Sequence, residues 1–342
     1  MRSSVFRGVG RPLSVETTDD PRPRSGEVVL KVCRCGICGT DLHRTERNFA
    51  TYREGVVPGH EFSGEVVELG AGVTGLKIGD LVTALPYIGC NQCAHCVNGY
   101  PAACEKMLNL GSDDIAGAYA QYVVTAAPFT LKLPGTLSAE DGALVEPLAV
   151  AVRAVRRAGV GPGARVLVMG AGPIGLAIAY WARRAGAGFV AVQASSRRRE
   201  GFAAAMGADA FITPVQGQLP EETAVSVMGG APDIVFECIG VPGAIDQAIG
   251  AVALSGMVMV VGLCMEHDQW RPLFGLKKEV DIRFSRVYDR REYEIAIDAL
   301  AAGGVEPRSM ITQTVGLDAL PEAFEGLRAR SDQCKVMLDP WA

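Results

Sequence analysis

The stretch that decides the fold spans residues 165–175 and is RVLVMGAGPIG in one-letter code. An apolar β run leads into the pattern Gly-x-Gly-x-x-Gly, and an apolar helical pattern follows directly. A strand, a glycine turn and a helix in this order are typical of a dinucleotide-binding unit, since the glycines let backbone amides approach a pyrophosphate at the helix N-terminus. A glycine-rich turn without a ligand is the alternative. We expect the dinucleotide contacts at Gly170, Gly172, Pro173, Ile174 and Gly175.

Similar units continue on the C-terminal side of this motif. Apolar β runs at residues 189–193, 233–237 and 257–261 alternate with helical patterns. This alternation predicts a parallel, doubly wound α/β sheet. Residues 1–148 instead show short β segments with dense turn chemistry, and residues 334–338 form a last β run that could pair back with them. We expect a cofactor domain at residues 149–284 and a β-rich domain made of residues 1–148 and 285–342.

Length, charge and cysteine usage limit the possible functions. A chain of 342 residues is long enough for two cores. A net charge of -5 and a pI near 5.5 argue against nucleic acid or an anionic membrane as a partner. The N-terminus lacks the apolar segment of a secretory signal, and glycines interrupt the longest uncharged stretches. We expect a cytoplasmic protein with a small-molecule substrate.

A dense group of cysteines has the spacing of a metal site. Residues 90–104 give the pattern C-x2-C-x2-C-x7-C, which lets one loop place four thiolates around Zn²⁺. Such a closed site stabilises the fold and has no open position for chemistry. Buried cysteines without a metal are the alternative. The predicted structural zinc ligands are Cys90, Cys93, Cys96 and Cys104.

A second set of ligand types is spread along the first domain. Cys38 is followed by Gly59-His60-Glu61 and, at the end of the domain, by Glu146-Pro147. Catalytic zinc takes three protein ligands of N, S and O type and leaves one position open. Each fragment is weak alone, because a single cysteine is usually core and a His-Glu pair is usually surface. Their order along the chain is what makes a shared metal site a reasonable hypothesis.

These motifs resemble the zinc-containing medium-chain dehydrogenases, and the Glu146-Pro147-Leu148 segment is similar to the branch with sorbitol and threonine dehydrogenases. The resemblance implies a GroES-like β-barrel catalytic domain and a Rossmann domain with the active site in the cleft between them. It also implies that Cys38, His60 and Glu146 hold a catalytic zinc. Glu61 would be a nearby carboxylate that supports or enters the coordination shell.

The resemblance further implies the chemistry. A hydride would move between an alcohol or its ketone and a nicotinamide, and the expected alcohols are secondary alcohols or polyols. Thr40 would take the substrate proton and His43 would relay it toward solvent through the cofactor ribose. A turn hydroxyl for Thr40 and a surface imidazole for His43 are the alternatives. Relatives also suggest a homotetramer, or a dimer, joined through a sheet-edge strand that residues 257–263 match.

The residues after the second strand of the cofactor domain bear on the choice of nicotinamide. Sites for NAD place a carboxylate there to bind the ribose hydroxyls. This chain has Ala194 at that position and then Ser195, Ser196 and three arginines at residues 197–199. Hydroxyl and guanidinium donors without a carboxylate favour a 2′-phosphate, hence NADP(H) over NAD(H).

The expected phosphate contacts are Ser195, Ser196, Arg197 and Arg199. The alternative is that the arginines form a solvated helical turn. The resemblance adds Lys335 as a residue that neutralises the pyrophosphate.

Two other functions stay open at this point. One is a zinc-independent NADPH quinone or enone reductase of the same fold, although such proteins generally lack both cysteine-containing sets. The other is a non-catalytic zinc-ribbon protein, which the acidic pI and the nucleotide motif disfavour. The pocket candidates are aromatic or apolar side chains that are equally good core residues: Phe49, Tyr52, Tyr87 and Leu110.

Overall fold

The structure is a computed structural model that describes residues 1–48, 50–112, 115–329 and 332–342. The chain divides into two compact units, Met1–Glu146 with Tyr288–Ala342 and Pro147–Val287. These bounds lie within three residues of the ranges expected from the sequence. In the described part of the chain, no helix has both the length and the apolar character needed to cross a membrane.

The strands follow in chain order. They are Arg2–Val5 (β1), Ser14–Thr17 (β2), Glu27–Gly36 (β3), Glu61–Leu69 (β4), Leu81–Ala84 (β5), Tyr87–Ile88 (β6), Leu108–Asn109 (β7), Tyr122–Ala126 (β8), Thr130–Lys132 (β9), Arg165–Met169 (β10), Phe189–Gln193 (β11), Ala210–Ile212 (β12), Ile234–Glu237 (β13), Met257–Val260 (β14), Asp281–Phe284 (β15), Ile311–Val315 (β16) and Lys335–Leu338 (β17).

The α-helices lie between these strands. They are Gly39–Arg44 (α1), Ala94–Val97 (α2), Ala139–Ala158 (α3), Pro173–Arg184 (α4), Glu200–Ala205 (α5), Pro220–Met228 (α6), Ala244–Ala251 (α7), Pro272–Lys278 (α8), Arg290–Ala301 (α9) and Leu320–Gly326 (α10).

The first unit is built on one mixed sheet. Among the described residues its strand order is β16-β17-β3-β4-β5-β9, and β8 also pairs with β3. The last strand, β17, pairs antiparallel with β3, which confirms that the C-terminal β run returns to the first domain. Apolar side chains of β3, β4 and β8 form the core with residues such as Phe62, Tyr119 and Phe324. This core fixes the end of β3 and the start of β4; Cys38 follows β3 by two residues, His60 directly precedes β4 and Glu61 is its first residue.

The second unit is a parallel doubly wound sheet, as predicted. In the described residues its strand order is β12-β11-β10-β13-β14-β15, with parallel pairing throughout. Numbered along the unit, this is the order 3-2-1-4-5-6 of dinucleotide-binding sheets, whose direction of winding reverses between β10 and β13. Ligands of such sheets bind at the carboxyl ends of the strands beside this reversal.

One sequence expectation about this sheet is wrong. Residues 257–263 do not form an edge strand, because β14 has β13 on one side and β15 on the other. The edge strand on this side of the sheet is β15, whose residues Asp281–Phe284 are largely exposed. In its sequence Asp-Ile-Arg-Phe, charged and apolar residues alternate, so it lacks the continuous apolar run of a buried strand. The sequence pattern therefore did not indicate it.

Candidate active site and metal centres

The four cysteines of residues 90–104 converge in the structure. Their sulfur atoms all lie within 4.8 Å of one another, and all four are free thiols. Backbone N–H groups of Cys90 and Lys106 donate to the sulfur of Cys104, each over 3.3 Å. Hydrogen bonds from the N–H groups of Gln92 and Cys93 lower the pKa of Cys90 to about 6. Four converging sulfurs with amide donors suit a tetrahedral Zn²⁺ site.

The backbone of the cysteine lobe, residues 88–106, is shaped for this cluster of four sulfurs. Gly89 has no room for a side chain, because a Cβ there would lie 2.9 Å from the sulfur of Cys96. Asn91 adopts a left-handed conformation with a φ of 56°, which asparagine tolerates better than most residues. His95 lies on α2 and is exposed.

A second cluster forms where β3 and β4 meet. Ligand atoms of Cys38, His60 and Glu61 all lie within 4.8 Å of one another. Register explains this, since Gly36 at the end of β3 pairs with Glu61 at the start of β4. Burial and the nearby Glu61 carboxylate raise the pKa of the Cys38 thiol. A divalent cation would supply the positive charge that a buried thiolate needs, so the donor set fits a zinc ion.

Two glycines make room for these ligands. A Cβ at Gly36 would collide with the carboxylate of Glu61, and one at Gly59 would collide with the ring of Tyr119. Gly59 also has a φ of 101°, a conformation that glycine adopts without steric cost. The Gly-His-Glu segment therefore needs its glycine so that His60 can turn toward Cys38.

Asp41 supports the histidine of this cluster and was not predicted from the sequence. Its carboxylate is fully buried, and Oδ1 lies 3.2 Å from Nδ1 of His60. The hydroxyls of Tyr52 and Tyr119 donate to its two oxygens over 2.8 and 2.7 Å. Burial opposes ionisation, but His60 and both hydroxyls lower the pKa of Asp41 below its ordinary value. A carboxylate on one imidazole nitrogen orients the other nitrogen toward a metal.

Lys335 has a partner that the sequence did not indicate. Its side chain is 2% exposed, and Nζ donates to both carboxylate oxygens of Glu61, over 2.8 and 2.6 Å, and to the carbonyl of Ile37. The structure thus joins Lys335 to the Cys38, His60 and Glu61 cluster. The predicted contact with pyrophosphate would require this ammonium group to leave three acceptors.

Glu146 lies near this cluster but outside the group of three whose ligand atoms are mutually within 4.8 Å. It is 6% exposed, and its Oε1 accepts a 2.6 Å hydrogen bond from the hydroxyl of Tyr288. Burial raises the pKa of Glu146 to about 7, although His60, Tyr288 and Lys335 act in the opposite direction. The structure therefore provides two buried glutamates near Cys38 and His60 as candidate oxygen ligands.

The two predicted relay residues share a short helix. Thr40 is half-buried on α1, and His43 follows three residues later with a side chain that is 45% exposed. Residues three apart on a helix lie on one face. The helix begins directly after Cys38, so the relay candidates are tied to a metal-ligand candidate by the backbone. The arrangement offers a hydroxyl near the cluster and an imidazole nearer to solvent.

The glycine turn of the second unit has the expected geometry. Gly170 has a φ of 109°, and a Cβ at Gly175 would collide with the carbonyl of Gly170. A Cβ at Gly172 would meet nothing within 4 Å, which leaves space above the N-terminus of α4. Pro173 and Ile174 form the first turn of that helix. An open glycine at a helix N-terminus beside the reversal of the sheet suits a pyrophosphate.

The residues after β11 lie beside this turn. The strand ends at Gln193, and Ala194 follows without a carboxylate. Ser195 is exposed, Ser196 begins the short helical turn at residues 197–199, and a guanidinium nitrogen of Arg199 donates to the carbonyl of Ala171 over 3.0 Å.

Arg197 is paired with Glu200. The structure thus brings Arg199 to the glycine turn and leaves Arg197 at the surface.

The pocket candidates of the sequence analysis are core residues where the structure describes them. Tyr52, Tyr87 and Leu110 are at most 4% exposed. Tyr52 serves Asp41 through its hydroxyl. Phe49 lies outside the described residues.

Comparisons with known proteins agree with this geometry. Residues 24–135 match the model of the alcohol dehydrogenase GroES-like domain, and residues 173–302 match the model of the zinc-binding dehydrogenase family. The predicted combination of a GroES-like domain and a Rossmann domain is thereby confirmed.

Individual relatives match over nearly the whole chain. A sorbitol dehydrogenase of Gallus gallus is 34% identical over 332 residues, which is 95% of this chain and 93% of that protein. An L-idonate 5-dehydrogenase of Vitis vinifera is 35% identical over 325 residues, or 92% and 88%. A structure from Sinorhizobium meliloti 1021, assigned as a zinc-binding dehydrogenase and bound to NADP, has 30% identity, a TM-score of 0.91 and 99% coverage of both chains.

Proposed function

Because the chain belongs to the zinc-containing medium-chain dehydrogenases, in the sorbitol dehydrogenase-like branch, we propose that it is a zinc-dependent, NADP(H)-linked oxidoreductase of secondary alcohols or polyols and their ketones. The observation that carries this proposal is the convergence of Cys38, His60 and Glu61. A sulfur, an imidazole and a carboxylate form the mixed donor set of a catalytic zinc with an open position. Named relatives act on sorbitol and L-idonate, which supports polyols as the substrate class.

When bound, the zinc supplies a Lewis acid for the substrate oxygen, and the nicotinamide accepts or donates the hydride. The protein's own groups hold the ligands and move the proton. Asp41 keeps His60 oriented, and Lys335 balances the charge of Glu61. Thr40 takes the proton of the substrate hydroxyl, and His43 passes it toward solvent. Glu146 is the further oxygen ligand or a contact for a substrate hydroxyl.

The four cysteines of the lobe take a structural role in this proposal. Their closed sulfur set leaves no position for a substrate. The zinc content that we propose is two ions per chain. A zinc-free quinone or enone reductase would have no use for either cluster, and a zinc-ribbon protein would have no use for the glycine turn of the second unit.

The preference for NADP(H) rests on charge at the end of β11. A 2′-phosphate meets no carboxylate at Ala194, and Ser195, Ser196 and Arg199 offer donors beside the glycine turn. Arg197 can join them if it leaves Glu200. The S. meliloti structure with bound NADP supports the same choice.

An oligomer is also part of the proposal. The edge strand β15 exposes Phe284, which is 60% accessible, and α8 exposes Leu273 and Leu276 at 56% and 75%. An open strand edge beside apolar side chains suits pairing with a second copy. We therefore place the contact at β15 and not at residues 257–263, in a homotetramer or a dimer.

The proposal is tested by following nicotinamide absorbance with sorbitol, xylitol, 2,3-butanediol, 2-propanol and ethanol, each with NADP⁺ and with NAD⁺. We expect turnover with polyols or secondary alcohols to exceed that with ethanol, and NADP⁺ to be preferred. Preference for NAD⁺ would contradict the assignment of residues 194–199 alone. Absence of turnover across polyols, diols and secondary alcohols would contradict the substrate class.

A further inference from the structure

We propose that Tyr288 is a positioning residue that fixes the carboxylate of Glu146 at the catalytic centre. The inference rests on the proposed function, because it assigns a role to Glu146 at that centre. Tyr288 lies 142 residues from Glu146 in the sequence, yet its hydroxyl donates to Oε1 over 2.6 Å. The contact was not indicated by any sequence motif.

The tyrosine ring is itself held in place. Tyr288 is 1% exposed, and its ring centroid lies 4.9 Å from that of Tyr293. The hydroxyl of Tyr87 donates to the backbone carbonyl of Tyr288 over 2.7 Å. A ring fixed by packing and by its own backbone can deliver a hydroxyl to one place with little freedom.

The backbone that leads into Tyr288 is strained. Val287 has a φ of 54°, and a β-branched residue rarely adopts a left-handed conformation. Such strain persists where the surrounding structure requires it, and it is concentrated at functional sites. Here it occurs at a bend directly before Tyr288.

The hydrogen bond gives the two carboxylate oxygens of Glu146 different partners. The phenolic hydroxyl has one hydrogen to donate, and the 2.6 Å contact places it on Oε1 of Glu146. Oε1 accepts from the phenol, and we assign Oε2 to the catalytic metal ion as its oxygen ligand. Without Tyr288 the carboxylate could rotate, and the ligand set would lose its fixed oxygen.

The test compares Tyr288→Phe with Tyr180→Phe, which removes the hydroxyl of a tyrosine 3% exposed in the second unit. Zinc release from the holoenzyme to a chromophoric chelator is followed over time. The zinc that wild type releases and a His60→Ala variant lacks is assigned to the catalytic centre. We expect Tyr288→Phe to speed release from that centre about 10- to 100-fold, as loss of a ligand's supporting contact does. Tyr180→Phe should release zinc as the wild type does.

A double substitution separates positioning from general loosening. If Tyr288 acts through Glu146, then Glu146→Gln and Glu146→Gln/Tyr288→Phe should release the catalytic zinc at equal rates. Additional acceleration in the double variant would overturn the proposal, as would equal release by Tyr288→Phe and wild type. If the wild type holds no zinc that His60→Ala removes, the proposed function fails as well. If that zinc is present and only the Tyr288→Phe effect is missing, the positioning role alone is wrong.

Discussion

Oδ1 of Asp41 lies 3.2 Å from Nδ1 of His60, although neither the spacing nor the motifs of the sequence indicated this pair. The contact leaves Nε2 of His60 as the nitrogen available to a metal. Two tyrosine hydroxyls hold the Asp41 carboxylate in turn. The proposed catalytic centre therefore has beside it a buried carboxylate, and each of its two oxygens accepts a tyrosine hydroxyl.

Replacing Asp41 with asparagine should weaken the catalytic centre. Asparagine keeps the size of the side chain but removes the charge that orients and polarises His60. We expect about a 10- to 100-fold loss in zinc affinity or turnover, measured by competition with a chelator and by nicotinamide absorbance. Asp246→Asn, at a pair with Arg271 on the second unit, is the control. Equal behaviour of the two variants would contradict the role of Asp41.

The sequence predicted the candidate ligands and the glycine motif better than the residues that contact and position them. Gly170–Gly175 and the four lobe cysteines could be predicted because each motif lies within one short stretch and its spacing is typical of one kind of binding site. Asp41 with His60, Lys335 with Glu61 and Tyr288 with Glu146 were not found, because these contacts depend on strand register and on a chain that returns after many residues. The aspartate at the third residue after Cys38 was the available signal, since an acidic side chain on a helix facing the core needs a partner.

The edge of the second sheet was mislocated for a related reason. Apolar runs identify inner strands of a parallel sheet, but an edge strand has one open side and tolerates charge. Asp281–Phe284 has that character. The apolar run at residues 257–261 therefore predicted β14 correctly, but the sequence pattern did not indicate that another strand follows it.

The lobe should be a stability element and not a catalytic one. Cys96→Ser removes one of four converging sulfurs, and we expect one zinc per chain to be lost and the thermal midpoint to fall, because metal binding contributes to folding there. Turnover per folded molecule should change little. Cys33→Ser, a half-buried thiol outside both clusters, should keep its zinc and its midpoint. A full zinc complement in Cys96→Ser would exclude the predicted ligand set.

Coenzyme choice should respond to a single carboxylate. Ala194→Asp places a negative charge at the end of β11, where it can bind ribose hydroxyls and repel a 2′-phosphate. We expect the ratio of kcat/KM for NADP⁺ over NAD⁺ to fall about 10- to 100-fold, equivalent to roughly 1.4–2.8 kcal/mol. Ala194→Asn controls for size without charge. An unchanged ratio would show that the phosphate site lies elsewhere.

A buried ion pair should make stability depend on pH. Arg308 donates twice to the fully buried carboxylate of Asp141, over 2.7 Å each. Burial opposes ionisation, but Arg308 and Ser138 lower the pKa of Asp141. Since the folded value lies below the unfolded value of about 3.9, this stabilisation is present at neutral pH and is lost as pH falls below about 4.

Asp141→Asn should therefore reduce the free energy of unfolding by about 1–3 kcal/mol at pH 7, as measured with urea. The difference from wild type should shrink toward pH 3. Glu294→Gln, which breaks the exposed pair with Arg290, should change stability by less than about 1 kcal/mol. A deficit of Asp141→Asn that is constant across pH would argue against the ion pair as its source.

The most direct test of the central claim is zinc analysis of wild type and His60→Ala together with turnover during timed chelation and zinc re-addition. The account predicts two zinc ions per chain in the wild type and one in His60→Ala. It also predicts that activity disappears in step with the zinc that His60→Ala lacks and returns when zinc is restored. Undiminished turnover by wild-type enzyme from which that zinc has been removed would contradict the claim that Cys38 and His60 hold a catalytic metal.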